Sequence, residues 1–151
     1  MILCSYKRDR MSALAALSVS AKRKRMGMYV RFQQENFRSA DVAKFLRPLL
    51  RHLRKHVILL WDRGSVHKGS AMAELRRAHP RLHIEWFPGY APELNPVEFI
   101  WKDFKGHTAN SMPLDQQDLR VSLHNNTRRA RRTQDKLRSF VLASDLPSPP
   151  W

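Results

Sequence analysis

Two segments near the start of the chain alternate. Leu17 and Val19 stand against Ser18 and Ser20, and Met28, Val30 and Phe32 stand against Tyr29 and Arg31. A period of two sends successive side chains to opposite faces, as in a half-buried strand. The basic run AKRKRMG between them, with its Gly27, predicts the turn of an antiparallel hairpin. Over residues 41–55 the period lengthens: Val42, Phe45, Leu46, Leu49, Leu50 and Leu53 make a full helical stripe. Ser39 is the expected N-cap, Asp41 suits the positive end of the helix dipole, and Pro48 is expected to kink the helix. Val57–Trp61 is apolar without alternation and runs into Asp62 and Gly64, which predicts a strand buried on both faces. Residues 70–78 predict a helix with Met72, Leu75 and Ala78 inward. Residues 82–87 predict a strand with Leu82, Ile84 and Trp86 on one face. A helix between two short apolar strands is a βαβ unit, which makes parallel sheet. Residues 88–96, PGYAPELNP, read as a rigid loop. Asn95, Pro96 and Glu98 then start a helix as N-cap, proline at N1 and acid at N3. That helix buries Val97, Ile100, Trp101 and Phe104, and with Trp61 and Trp86 the tryptophans are expected in the core. Residues 114–140 predict one further helical stretch, and SDLPSPPW a fraying end. The fold class is mixed α/β.

Composition narrows the partners. The chain has 151 residues, 42% apolar and 27% charged, which is globular composition. The balance of 28 Lys and Arg against 13 Asp and Glu gives +15, which favours a polyanion as partner. The single cysteine, Cys4, excludes an internal disulfide and a zinc site built from cysteines. No apolar run approaches the ~18 residues of a membrane span. Met1–Tyr6 is too short for a signal-peptide core. The expectation is a soluble, intracellular protein facing nucleic acid, with no membrane partner.

Two carboxylates stand out. Asp62 ends the apolar strand, where open α/β sheets place ligand sites. Glu98 lies in the first turn of the later helix, at the edge of its buried stripe. Such a pair can share a divalent cation, although an acid at a strand end often only caps a loop. Glu98 in particular can instead reach back to the Asn95 amide as a capping box.

The segments WDRGSVH (61–67) and WFPGYAPELNPVEFIWKDFK (86–105) resemble the DDE transposases of bacterial insertion sequences, in the branch related to mariner elements. The likeness runs upstream through RDRMSALAALSVS and FLRPLLRHL and covers nearly the whole chain. It implies a ribonuclease-H-like fold, a mixed sheet flanked by helices, with residues 1–110 as the catalytic domain and 111–151 as a basic helical extension and tail. It also implies metal-dependent DNA cleavage and strand transfer in transposition. Asp62 stands at the position of the family's second acid and Glu98 at the third, as catalytic and metal-holding residues for Mg²⁺ or Mn²⁺, two ions in an intact site. The implied partners are the DNA of transposon ends and target, the product of an upstream reading frame, or an intact transposase. The implied place is the bacterial cytoplasm, at the nucleoid.

The departures are as informative. Arg63 stands where the family commonly has Asn. The family's first acid lies on a strand upstream of the segment resembling RDRMSALAALSVS, and the only acid there is Asp9, within KRDR. The chain is therefore expected to lack its first central strand and to be N-terminally truncated and inactive alone. Ile2–Tyr6 either replace that strand or are an arbitrary start. The competing class is a non-enzymatic basic protein that binds nucleic acid through phosphates without sequence preference. His67 either contacts a phosphate or caps the turn. Lys102 and Lys105, on the Glu98 side of their helix, either meet phosphates or are solvated. Tyr90 and Asn95 are expected to hold the loop that presents Glu98. Arg128, Arg129, Arg131 and Arg132 lie in a window rich in bases, which points to DNA-backbone contact against a merely solvated face. The remaining histidines show no metal-like spacing.

Overall fold

The computed structural model describes residues 2–5, 10–20, 22–62 and 69–148, with the backbone alone at 2–5 and 10. The elements in chain order are β1 (Ile2–Ser5), β2 (Arg10–Ser20), β3 (Arg25–Gln33), α1 (Ser39–His52), β4 (Val57–Trp61), α2 (Ser70–Ala78) and β5 (Leu82–Trp86). A 3-10 turn (Pro92–Leu94), α3 (Pro96–Ser111), α4 (Gln116–Ala130) and α5 (Gln134–Leu142) follow. The chain divides into two compact units, residues 1–35 with 92–151, and residues 36–91.

In the first unit β1, β2 and β3 form an antiparallel sheet in that order. The expected hairpin is present, with Ser20 opposite Arg25 and Ser12 opposite Gln33. Its turn is shorter than the sequence predicted. Lys22–Lys24 make it, and Gly27 lies inside β3 opposite Ser18. A Cβ at Gly27 would stand 2.9 Å from the Ser18 hydroxyl, so the glycine serves a close approach between strands and not the turn. The expectation of a missing first strand is amended. Ile2–Ser5 pair with β2, from Ile2 opposite Ala13 to Ser5 opposite Arg10, which satisfies backbone groups that an open edge would leave unpaired.

The alternation of the hairpin decides its core face. Met11, Ala13, Met26 and Met28 are buried against Ile100, Trp101 and Phe104 of α3, Leu119 and Leu123 of α4, and Leu137 and Phe140 of α5. Trp101 and Phe104 meet edge to face, centroids 5.8 Å apart. Residues 114–140 are not one helix but two, a correction with a local cause. Thr133 accepts the Lys136 N–H at 3.1 Å and so starts α5 afresh, as Asp115 starts α4 by accepting from Asp118 at 2.8 Å. The outer edge of β3 is covered by side chains from this junction. Gln134 accepts the Met26 N–H at 2.7 Å and donates to the Met26 carbonyl at 3.1 Å, and Arg131 Nε donates to the Met28 carbonyl at 2.8 Å. The tail is tied rather than frayed where described. The Asp145 N–H donates to the Glu93 carbonyl at 3.0 Å, and Ser144 is buried.

The second unit is the expected βαβ arrangement preceded by a helix. β4 and β5 pair in parallel, Val57 opposite Leu82 through Trp61 opposite Trp86. α1 buries Val42, Ala43, Phe45, Leu46, Leu49 and Leu50, the stripe read from the sequence. Its N-cap is Arg38 rather than Ser39, because the Asp41 carboxylate reaches back to accept the Arg38 N–H at 2.9 Å. It ends at His52, and the Arg81 guanidinium donates to the carbonyls of Leu50, Leu53 and Lys55 just beyond and within its last turn. Two expectations are corrected. β4 is not buried on both faces: Ile58 is 69% and Leu60 47% exposed, while Val57, Leu59 and Trp61 are half-buried. One face of the two-stranded sheet is thus uncovered, and Trp86 at its end is 43% exposed. In α2, Met72 and Leu75 are buried, but Ala78 is exposed in the last turn.

Candidate functional site

Asp62 directly follows β4, at the carboxyl end of a parallel strand pair, and is half-buried. Two features fix the backbone before it. The Phe87 N–H donates to the Trp61 carbonyl at 2.7 Å, and the rings of Trp61 and Trp86 stack with centroids 6.3 Å apart. His67 lies outside the described residues. Just before α2, Gly69 has a φ of +121° that no side chain readily adopts, and a Cβ there would stand 2.8 Å from the Ser39 hydroxyl. That glycine lets the start of α2 lie against the start of α1.

Glu98 is the third residue of α3. The 3-10 turn delivers Asn95, whose N–H donates to the Pro92 carbonyl at 3.0 Å. The Asn95 side chain caps α3 by accepting the Val97 N–H at 3.1 Å, and Pro96 fills N1 where no donor is needed. With the Asn95 amide already used, the capping box is not made. The Glu98 carboxylate has no hydrogen bond or ion pair among the described residues, and it is half-buried at the border of the Ile100, Trp101 and Phe104 stripe. Lys102 and Lys105 follow on the same face of α3 and are exposed, with Lys102 Nζ 4.7 Å over the Phe99 ring. Tyr90 does not hold the loop. It is fully exposed with φ +57°, and of the two residues only Asn95 performs that task.

Asp62 belongs to the unit 36–91 and Glu98 to the other. Among the described residues no group of three or more His, Cys, Asp or Glu is placed to hold a metal ion. No helix among them is long and apolar enough to cross a membrane.

The four C-terminal arginines divide. Arg128 and Arg132 are exposed, whereas Arg131 is bound to the Met28 carbonyl and Arg129 pairs with Asp103 at 2.6 Å. Asp103 is the residue that sequence reasoning missed. Its carboxylate, 14% exposed, also takes Lys136 Nζ at 2.7 Å, joining α3 to α4 and α5. Burial alone would push this carboxyl up, but the hydrogen bonds and charges of Lys136 and Arg129 outweigh it and hold its pKa below the usual carboxylate value. The signal was an acid one residue before the buried Phe104, followed by helices rich in bases.

This architecture is the ribonuclease-H-like fold of integrase and transposase catalytic domains. It is similar to the catalytic domain of Mos1 mariner transposase, with TM-score 0.52 and 15% identity over 91% of this chain and 83% of that one. It is also similar to a chain of the simian T-cell lymphotropic virus intasome solved with the PP2A regulatory subunit B56 gamma, with TM-score 0.57 and 12% identity over 81% of this chain. The match spans 44% of that intasome chain, less than half its length. The profile of the DDE superfamily endonucleases matches residues 2–120, and the chain belongs to that family. No curated protein matches the chain in sequence.

Proposed function

We propose that this chain serves the cutting and joining of DNA strands in transposition of an insertion sequence, with Asp62 and Glu98 as two of the carboxylates that hold Mg²⁺ or Mn²⁺. The observation that carries this reading is the family match over residues 2–120, which contains both halves of the motif. The donor chemistry fits: carboxylate oxygens suit hard divalent cations, and the Glu98 carboxylate is not committed to its helix cap. When bound, such ions supply Lewis acidity and charge at the attacking and leaving oxygens of a phosphodiester. The chain contributes placement. The paired ends of β4 and β5 fix Asp62, the Asn95 cap fixes the turn that carries Glu98, and Lys102 and Lys105 hold backbone phosphates. The substrate is the DNA of element ends and target in the bacterial cytoplasm, and the protein partner is the product of an upstream frame or an intact transposase.

Metal should stabilise the fold by mass action, by about 1.4 kcal/mol at roughly ten times Kd. Thermal unfolding with Mn²⁺ measures this, and Asp62→Asn should remove the shift. Equal stabilisation of the variant would overturn the assignment. The isolated chain is expected to leave supercoiled plasmid uncut, because two carboxylates neutralise only half the charge of two divalent ions. Nicking that disappears in Asp62→Asn would refute that inactivity and make Asp9 the first further ligand to mutate.

A further inference from the structure

We propose that the β2–β3 turn and the α4–α5 junction together form a docking surface for the phosphate backbone of duplex DNA. The choice of DNA as partner rests on the function proposed above, but the surface uses neither Asp62 nor Glu98. Its two halves are over a hundred residues apart in sequence and are joined by specific bonds. Arg138 Nη2 donates to the Lys24 carbonyl at 3.3 Å, in line with the Gln134 and Arg131 bonds to Met26 and Met28 along the same strand edge. This brings the exposed Lys22, Arg23 and Lys24 to the same edge as Arg131, Arg132 and Arg138. Among the described residues the acid in contact with this group is Asp135, 3.4 Å from Arg138.

The turn is unusual for its composition. Lys24 holds φ +51°, a conformation in which glycine or asparagine is the ordinary choice. Three consecutive bases without an acid repel one another and fall in energy when a polyanion lies against them. Arg131 and Arg138 are each anchored through one bond to a carbonyl, which orients guanidinium groups that still hold further donors. The exposed side chains of the turn and of Arg132 are all cationic, so the surface matches the phosphate backbone and not an apolar helix.

The test is an anisotropy titration of a labelled mixed-sequence duplex between ~50 and ~200 mM salt. The turn variant Lys22→Ala/Arg23→Ala/Lys24→Ala is compared with a charge-matched variant in the other unit, Lys44→Ala/Arg76→Ala/Arg77→Ala, whose side chains are also exposed. The turn variant should flatten the slope of log K against log salt by about 0.9 for each phosphate that is no longer neutralised, so by about 2–3, and the matched variant by less than about 1. Unfolding midpoints check that both variants fold, and Arg132→Gln, outside the turn, should flatten the slope by a further ~0.9. Equal flattening by the two triple variants would mean that binding follows net charge alone and would overturn the proposal. So would tighter retention of polyglutamate than of duplex at equal salt, which would make the partner an acidic protein. Mn²⁺ stabilisation that depends on Asp62 is read on the same samples. If it persists while the turn variant behaves like the matched one, the surface fails and the proposed function stands. If it is absent while the turn variant alone loses DNA, the surface stands and the metal assignment fails.

Discussion

Each of the two units carries one half of the family's motif, yet they are held together differently. The unit containing Glu98 packs one sheet face against three helices, and Ile100, Trp101 and Phe104 on α3 are essentially inaccessible. It adds polar ties inside: Asn126 donates to the Thr108 hydroxyl at 3.0 Å, and Asp103 gathers Arg129 and Lys136. The unit containing Asp62 has a two-stranded sheet with one face uncovered, where Ile58 and Leu60 are exposed. A two-stranded ribbon is marginal by itself. The buried stripes of α1 and α2 and the three-carbonyl clamp of Arg81 add to it. The contrast says that Glu98 is presented by a rigid helix on a full core, and Asp62 by the end of a thinly supported strand.

The largest expected effect strikes the core that presents Glu98. Trp101→Ala removes the largest fully buried side chain and its packing against Phe104, and should cost about 3–5 kcal/mol. Urea unfolding measures it. A loss below ~1 kcal/mol would mean that α3 is not the centre of the core and would collapse the contrast.

The elements were legible wherever a period was clean. Met28, Val30 and Phe32 gave the hairpin, and the 42–53 stripe gave α1, because each pattern reflects one covered face. The start of α3 was legible in the motif, because the spacing Asn-Pro-x-Glu is also a helix start with its own physics. What the sequence hid were features made by side chains far apart in the chain. Asp103 reads as an ordinary helical acid until Arg129 and Lys136 are folded onto it. Gln134 reads as a polar helix residue until it pairs with the Met26 backbone. The break at Thr133 was not read, because helix-forming residues stand on both sides of it and a single threonine in such a run does not by itself mark a cap. The openness of β4 was hidden because five consecutive apolar residues look alike whether one face is covered or two.

The second expected effect tests the polar ties of the same unit. Asp103→Asn leaves the Arg129 and Lys136 charges facing a neutral amide, and should cost about 1–3 kcal/mol. The pH dependence has a definite sign. The folded carboxyl is held below its ordinary 3.8, so its contribution is fully present above that value and is lost as pH falls through the lower folded pKa. The wild-type chain should therefore lose stability on acidification in a step that Asp103→Asn lacks, read from urea midpoints between neutral pH and acid. Parallel profiles for the two proteins would show that the three-helix tie does not stabilise the fold.

The smallest expected effect sharpens the other side of the comparison. Ile58 lies mid-strand in β4 with 69% of its surface exposed, opposite His83 of β5. Thr keeps the β-branch and the strand preference but carries a hydroxyl in place of the ethyl group of Ile. On an uncovered face that exchange removes little buried area and leaves the hydroxyl in water, so Ile58→Thr should change stability by no more than about 0.5 kcal/mol. Leu75→Ala in α2 of the same unit, where the side chain is fully buried, should cost about 2–5 kcal/mol and shows that the measurement senses this unit. If Ile58→Thr instead costs more than ~1.5 kcal/mol, the apolar face of β4 is covered in solution. The uniform apolar run of Val57–Trp61 would then report a strand buried on both faces, and the thin support of Asp62 would be withdrawn.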